Sequence, residues 1–248
     1  MRLRLACGLV VCVLGLAAVS SRIEAACVDP STIAPSTVSI TRDFDAQERA
    51  AEPGVIGIRG TGWFLSPRLV VTAAHVAEAM HLSPQGWTEL GIRESAESRS
   101  IAARILHVAG SQAEKIAVIE LMTAFPGALA LHSRMEPLVP DERVVSLGYP
   151  GGQLRFAGGR FVRYGDAAAF NGAALLELHD GNDRLVLDHG ASGAPVLECD
   201  GRVVAVVATL ITQTVSIMSS VIRTSTAWRT PNVVSIPIQA LKDFARPE

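Results

Sequence analysis

Two short stretches of this 248-residue chain carry residue types suited to nucleophilic chemistry. In Val70-Val-Thr-Ala-Ala-His-Val76 an apolar run gives way to a helical turn, with His75 at the junction. In Gly190-Ala-Ser-Gly-Ala-Pro195, Ser192 lies between small residues that permit a tight turn with an exposed hydroxyl. Small neighbours also let the backbone amides of Gly190 and Ser192 face one point, where an oxyanion is stabilised. Each stretch alone is ambiguous, since a histidine after a strand is usually a surface or core residue and Gly-x-Ser-Gly is often only a turn. Together, in this order and context, they are a specific signal for chemistry carried by His75 and Ser192.

The elements that must hold these residues are short strands. Apolar or alternating runs recur at 55–58, 62–65, 69–72, 101–108, 116–121, 144–149, 175–178, 203–211 and 233–236, separated by Gly, Pro, Asp and Asn. That pattern predicts an all-β barrel or sandwich. Helical period is confined to 73–80 and to 238–245 after Pro237. Patterning is weakest over 131–142, with Pro137 and Pro140, which reads as a linker between two halves. The stretch Arg155–Arg163 has the composition of a solvated basic hairpin.

Composition narrows the function classes. With 49% hydrophobic residues the chain has material for a core, and its net charge of −2 gives no electrostatic case for nucleic acid or acidic membranes. Arg2 and Arg4 precede an uncharged run from Leu5 to Val19, the pattern of a secretory signal. That run is short for a membrane span. Ser20, Ala25 and Ala26 are the alternative cleavage points, the last two favoured, and Glu24 argues against lipidation at Cys27. The expected location is secreted or periplasmic, with no membrane association after cleavage. Cys7 and Cys12 leave with the signal, and the remaining Cys27 and Cys199 are expected to pair in an oxidising compartment. His81, His107, His132, His179 and His189 have no metal-ligand spacing, so neither metal nor cofactor is expected.

Thr-Ala-Ala-His at 72–75 and Gly-x-Ser-Gly-x-Pro at 190–195 resemble the trypsin-like (chymotrypsin-fold) serine peptidases. Gly-Tyr-Pro at 148–150, the strand 203–211 after the serine and Ser-Ile-Pro-Ile at 235–238 add to the likeness, with the flavour of bacterial secreted members. The resemblance runs from Val55 to the C-terminus. It implies two antiparallel Greek-key β-barrels with the active site between them, Ser192 as nucleophile, His75 as general base and an oxyanion hole at Gly190 and Ser192. The expected division is a signal over 1–26, an arm over 27–51, a first barrel over 52–135, and a second barrel with a short C-terminal helix over 136–248. The implied substrate is a protein or peptide.

The sequence departs from this family at two positions. Ala191 stands where zymogen-activated members carry aspartate, so activation by N-terminal insertion is not expected. More seriously, Lys115-Ile-Ala-Val-Ile-Glu-Leu121 matches the segment whose first residue is the third triad member, an aspartate. The sequence has no aspartate between His75 and Asp141. An ammonium there opposes the imidazolium that the missing acid would stabilise. Glu114 points away from His75 unless a bulge turns it, and Asp188 is expected to shape the loop before the serine. The resemblance also sets a specificity pocket with its floor at Val186 and Leu187 and its wall at Ala208, Thr209 and Leu210. Lacking an acid, it favours a small or apolar P1 residue. Two functions follow: an exported serine endopeptidase with an impaired triad, or a pseudoprotease using the same fold to bind partners.

Overall fold

The computed structural model describes residues 27–94, 97–110, 115–165, 171–180, 189–210, 212–217, 220–225 and 231–244. The proposed signal, Glu114, Val186, Leu187 and Asp188 lie outside the described residues.

Strands β1 (Thr37–Asp43), β2 (Gly57–Ser66), β3 (Leu69–Ala73), β4 (Thr88–Glu94), β5 (Glu97–Gly110) and β6 (Lys115–Leu121) close into one barrel in the order β1-β2-β3-β6-β5-β4. A second barrel contains β7 (Arg143–Gly148), β8 (Arg155–Tyr164), β9 (Ala174–His179), β10 (Pro195–Glu198) and β11 (Val203–Leu210). A hairpin of β12 (Thr212–Ile217) and β13 (Ser220–Ser225) precedes its last strand, β14 (Val233–Pro237). It closes as β10-β11-β14-β9-β8-β7, and neighbours in both barrels are antiparallel. The molecule is therefore a chymotrypsin-like double barrel, as expected.

Side-chain alternation explains how two barrels share one seam. On β6, Ala117, Ile119 and Leu121 enter the core of the first barrel, while Ile116 and Val118 face the other way. There they join Trp63, Leu65, Leu69 and Val71 against Val145, Leu147, Leu197, Val206 and Ile236 of the second barrel. The second barrel has its own core around Val144, Phe161, Leu176, Leu178, Val196 and Val207. Both cleft walls thus stand on a packed apolar seam, which fixes their mutual position.

Several expectations need revision. Thr37–Asp43 lies in the stretch read as an arm, yet it is the first strand of the first barrel, paired with β2 and β4. Its Val38 and Ile40 enter the core while Thr37 and Ser39 face the seam side, so polar seam residues masked the alternation. Arg155–Arg163 belongs to one strand, β8, paired on both sides with β7 and β9, rather than to a hairpin. A Cβ on Gly159 would lie 1.8 Å from the Glu177 carbonyl, so this glycine permits close approach of β9. The end of the run at 55–58 and all of the run at 62–65 fall on a single strand, β2, while Val55 and Ile56 precede it. The C-terminal helix is a single 3-10 turn at Ile238–Leu241, whose Ile238 and Leu241 close the seam.

The connector between barrels is docked. Leu131 N donates to Phe64 O, Val203 N to His132 O and Arg134 N to Val203 O, with Ser133 in a parallel bridge to Val203. Arg134 pairs with Glu142 at 2.5 Å and also with Glu198, which in turn pairs with Arg202. Cys27 and Cys199 form a disulfide, and Val28 N donates to Cys199 O, so the N-terminal arm is fastened at the far end of β10. Among the described residues no helix is long and apolar enough to cross a membrane.

Candidate active site

β3 runs directly into a short helix, Ala74–Ala79. Ala74, Val76 and Ala77 are buried against the first barrel, which leaves His75 and Glu78, one turn apart, on the exposed face. The helix sits close to β2: a Cβ on Gly60 would lie 2.4 Å from Val76 Cγ1. His75 has an exposed edge but stands in dense surroundings. Desolvation holds its pKa below the usual imidazole value of 6.5, opposed by the nearby Glu78 carboxylate.

Ser192 occupies a turn between Gly190 at φ +100° and Gly193 at φ +92°, a region that favours glycine. Space demands glycine there too. A Cβ on Gly190 would lie 2.7 Å from Tyr149 O, and one on Gly193 would lie 2.0 Å from Thr61 O.

The hydrogen bonds of this turn define which way its peptides face. His189 O accepts from Gly151 N (2.9 Å), and Ala191 O accepts from Ala194 N (3.0 Å). In a planar trans peptide the N–H points opposite the carbonyl. Anchoring these two carbonyls therefore turns the amides of Gly190 and Ser192 away from the protein body. Neither amide donates to another described residue. The remaining carbonyls are tied to the first barrel: Thr61 N donates to Ser192 O (2.9 Å) and Thr61 Oγ1 to Gly190 O (2.6 Å). Gly193 N donates to Val207 O (2.8 Å), which joins the turn to β11.

The Ser192 hydroxyl, part-buried, donates to Ala208 O at 2.9 Å. The β11–β14 register shifts between Val207 and Thr209, a bulge that leaves the Ala208 carbonyl off the ladder. Ala208 is fully buried, and Thr209 and Leu210 continue the backbone of β11. Lys115 opens β6 and is exposed; Ile116 pairs with Ala73, so Lys115 stands at the strand end beside the helix that carries His75. Its side chain makes no ion pair among the described residues. His81 approaches Glu48 and Glu52 on the surface, and His107 packs tilted against Phe244. Among the described residues no group of histidine, cysteine and acidic side chains is arranged to hold a metal.

Sequence reasoning missed Thr61, Tyr149 and Gly151, which support the turn from behind, and Thr72, which stands one step further back against Thr61. Thr72 Oγ1 donates to Thr61 O (2.6 Å) and Tyr149 N to Thr61 Oγ1 (2.9 Å). The available signal was a polar residue between two glycines, directly before the apolar run Trp63–Leu65.

Residues 60–206, more than half the chain, match the trypsin-like peptidase domain, and the chain belongs to that family. No curated protein matches the sequence. Among solved structures, it is similar to an inactive-form mutant of Rv3671c from M. tuberculosis H37Rv. The identity is 17%, with 86% of each chain covered and a TM-score of 0.54. It is also similar to the active form of the Rv3671c protease from M. tuberculosis, at 19% identity, covering 86% of this chain and 80% of that one, TM-score 0.55. At these identities the likeness concerns the fold.

Proposed function

We propose that the chain is an exported serine endopeptidase that cleaves peptide bonds through an acyl-enzyme on Ser192. In this reading residues 1–26 are the export signal and the disulfide is formed after export. Ser192 Oγ attacks the scissile carbonyl while His75 takes the hydroxyl proton. The oxyanion forms against the amides of Gly190 and Ser192, and His75 then protonates the leaving amine. Water, activated by the same histidine, releases the acyl group.

The observation that carries this reading is the anchoring of His189 O and Ala191 O. It commits two amides in advance to the site where charge develops, and such preorganised donors stabilise a transition state at no reorganisation cost. Turnover requires the Ser192 hydroxyl to leave Ala208 O and turn to His75. With Lys115 in place of the acid, the imidazolium gains no stabilisation from residue 115, so turnover is slow. The P1 residue is small or apolar, since Ala208 adds no charge to the pocket wall.

A second reading, a binding module that has lost catalysis, is favoured by Lys115 and by the Ser192 hydroxyl resting on Ala208 O. A fluorophosphonate probe separates them. Covalent labelling mapped to the peptide containing Ser192, and absent in Ser192→Ala, supports the peptidase; equal labelling of both proteins or of neither overturns it.

A further inference from the structure

We infer that Thr61 is a positioning residue whose hydroxyl locks the oxyanion turn of the second barrel onto the barrel that carries His75. This rests on the serine-peptidase reading for its catalytic consequence, though not for its geometry.

Thr61 is fully buried at the seam, and its side chain uses both hydrogen-bonding roles of a hydroxyl. It donates to Gly190 O at 2.6 Å and accepts from Tyr149 N at 2.9 Å. Its backbone donates to Ser192 O and accepts from Thr72 Oγ1. One residue of β2 thus touches both second-barrel segments that frame the oxyanion amides. The first is the serine turn itself. The second is the 149–152 turn, whose Gly151 N holds His189 O.

The need for such a lock follows from Gly190. A glycine at positive φ has little steric resistance to rotation of its flanking peptides, so the His189–Gly190 unit is free to flip unless its neighbours are held. Flipping it would point a carbonyl where the oxyanion forms. Gly151 holds the carbonyl on one side of Gly190 and Thr61 holds the one on the other. The Thr61 contact to Tyr149 N also fixes the turn that bears Gly151. The surroundings reserve this role for Thr61, because a Cβ at Gly60 meets Val76 and one at Gly62 lies 2.6 Å from Val70 Cγ1.

The test compares Thr61→Val, close in shape but without a hydroxyl, with Thr61→Ser, which keeps it, and with Thr72→Val. The last loses a buried hydroxyl bonded to Thr61 O but leaves the lock intact. Thr61→Ala replaces Thr61→Val if the latter does not fold. Misplacing a catalytic group by about 1 Å costs roughly 10²-fold, so Thr61→Val is expected to lower kcat and the fluorophosphonate labelling rate about 10- to 100-fold. KM and the pH midpoint set by His75 should stay near wild type, and Thr61→Ser should recover most of the rate. Thr72→Val should lose stability without a matching loss of rate. Exchange of the Tyr149 amide, followed by NMR, is a readout that needs no activity: it should be protected in wild type and Thr61→Ser and faster in Thr61→Val.

Each result decides something. Rapid Tyr149 exchange in wild type overturns the lock whatever the variants do. An unchanged labelling rate and unchanged protection in Thr61→Val overturn it as well, as does failure of Thr61→Ser to rescue. If wild-type Ser192 never labels while Tyr149 protection is lost in Thr61→Val, the peptidase reading fails and the lock stands as a structural fact.

Discussion

Across the cleft, the serine turn has its backbone carbonyls fastened to neighbouring segments, with glycine enforced at both flanks by φ and by space. The histidine side is held mainly by packing: a six-residue helix seated on the first barrel through Ala74, Val76 and Ala77, with no side-chain cap at its start. At the start of the adjacent strand β6 stands the exposed Lys115, which the proposed function takes as the family's acid position. The two sides therefore differ in what fixes them. Hydrogen bonds specify the direction of a dipole, whereas apolar packing specifies only where a residue sits. An oxyanion site as proposed needs direction, which the hydrogen bonds of the serine turn supply. In the proposed function, the imidazole has no acid at residue 115 to orient it.

The largest test of this contrast removes the nucleophile. Ser192→Ala is expected to abolish covalent labelling and to leave hydrolysis at the residual level that the oxyanion donors and substrate binding supply without a nucleophile. Stability should fall by only about 1 kcal/mol, the worth of its bond to Ala208 O. Urea unfolding and a peptide or ester assay give both numbers; loss of folding would mean that the turn is not independently anchored.

Lys115→Asp repairs the weaker side. Turnover should rise, by up to about 10⁴-fold if the new carboxylate reaches the far nitrogen of His75. Turnover unchanged in Lys115→Asp but abolished in Glu114→Ala would transfer the role to Glu114.

Opening the disulfide should lower stability by about 2–5 kcal/mol while leaving turnover near wild type, because Cys199 lies at the opposite end of β10 from Ser192. Denaturation with and without reductant measures the first and the assay the second; a large fall in rate would show that the two ends of β10 are coupled.

The smallest effect is in pH. Desolvation depresses the His75 pKa, so the neutral base persists further into acid and kcat/KM should rise with pH through a midpoint below 6.5. Since the folded value lies below the unfolded one, the associated stability is full above pH 6.5 and declines as pH falls through the folded pKa. His75→Gln should flatten that decline in thermal melts, and Glu78→Gln should lower the kinetic midpoint further by removing the carboxylate that opposes desolvation.

How much of this was legible in the sequence depended on range. Thr-Ala-Ala-His and Gly-Ala-Ser-Gly are local, and glycines at fixed offsets announce a turn by composition alone. The pairing of Cys27 with Cys199 followed from compartment and count. Strand β1 escaped because Thr37 and Ser39 are buried polar residues at the seam, and β8 because Gly158 and Gly159 interrupt its alternation. Thr61 was invisible for another reason. Its partner Gly190 lies 129 residues away, and only closure of both barrels brings them together.

The docked connector has a consequence for how the protein is made. Arg134 finds Glu198 and Val203 only after β10 and β11 exist, so a nascent first barrel emerges with that guanidinium and a strip of unpaired backbone exposed. Both barrels also close through pairs distant in sequence, β1 with β4 and β10 with β7, a topology that folds slowly. Docking of the connector therefore comes late, and a chain severed within residues 131–142 would leave each half with an edge that the other satisfies.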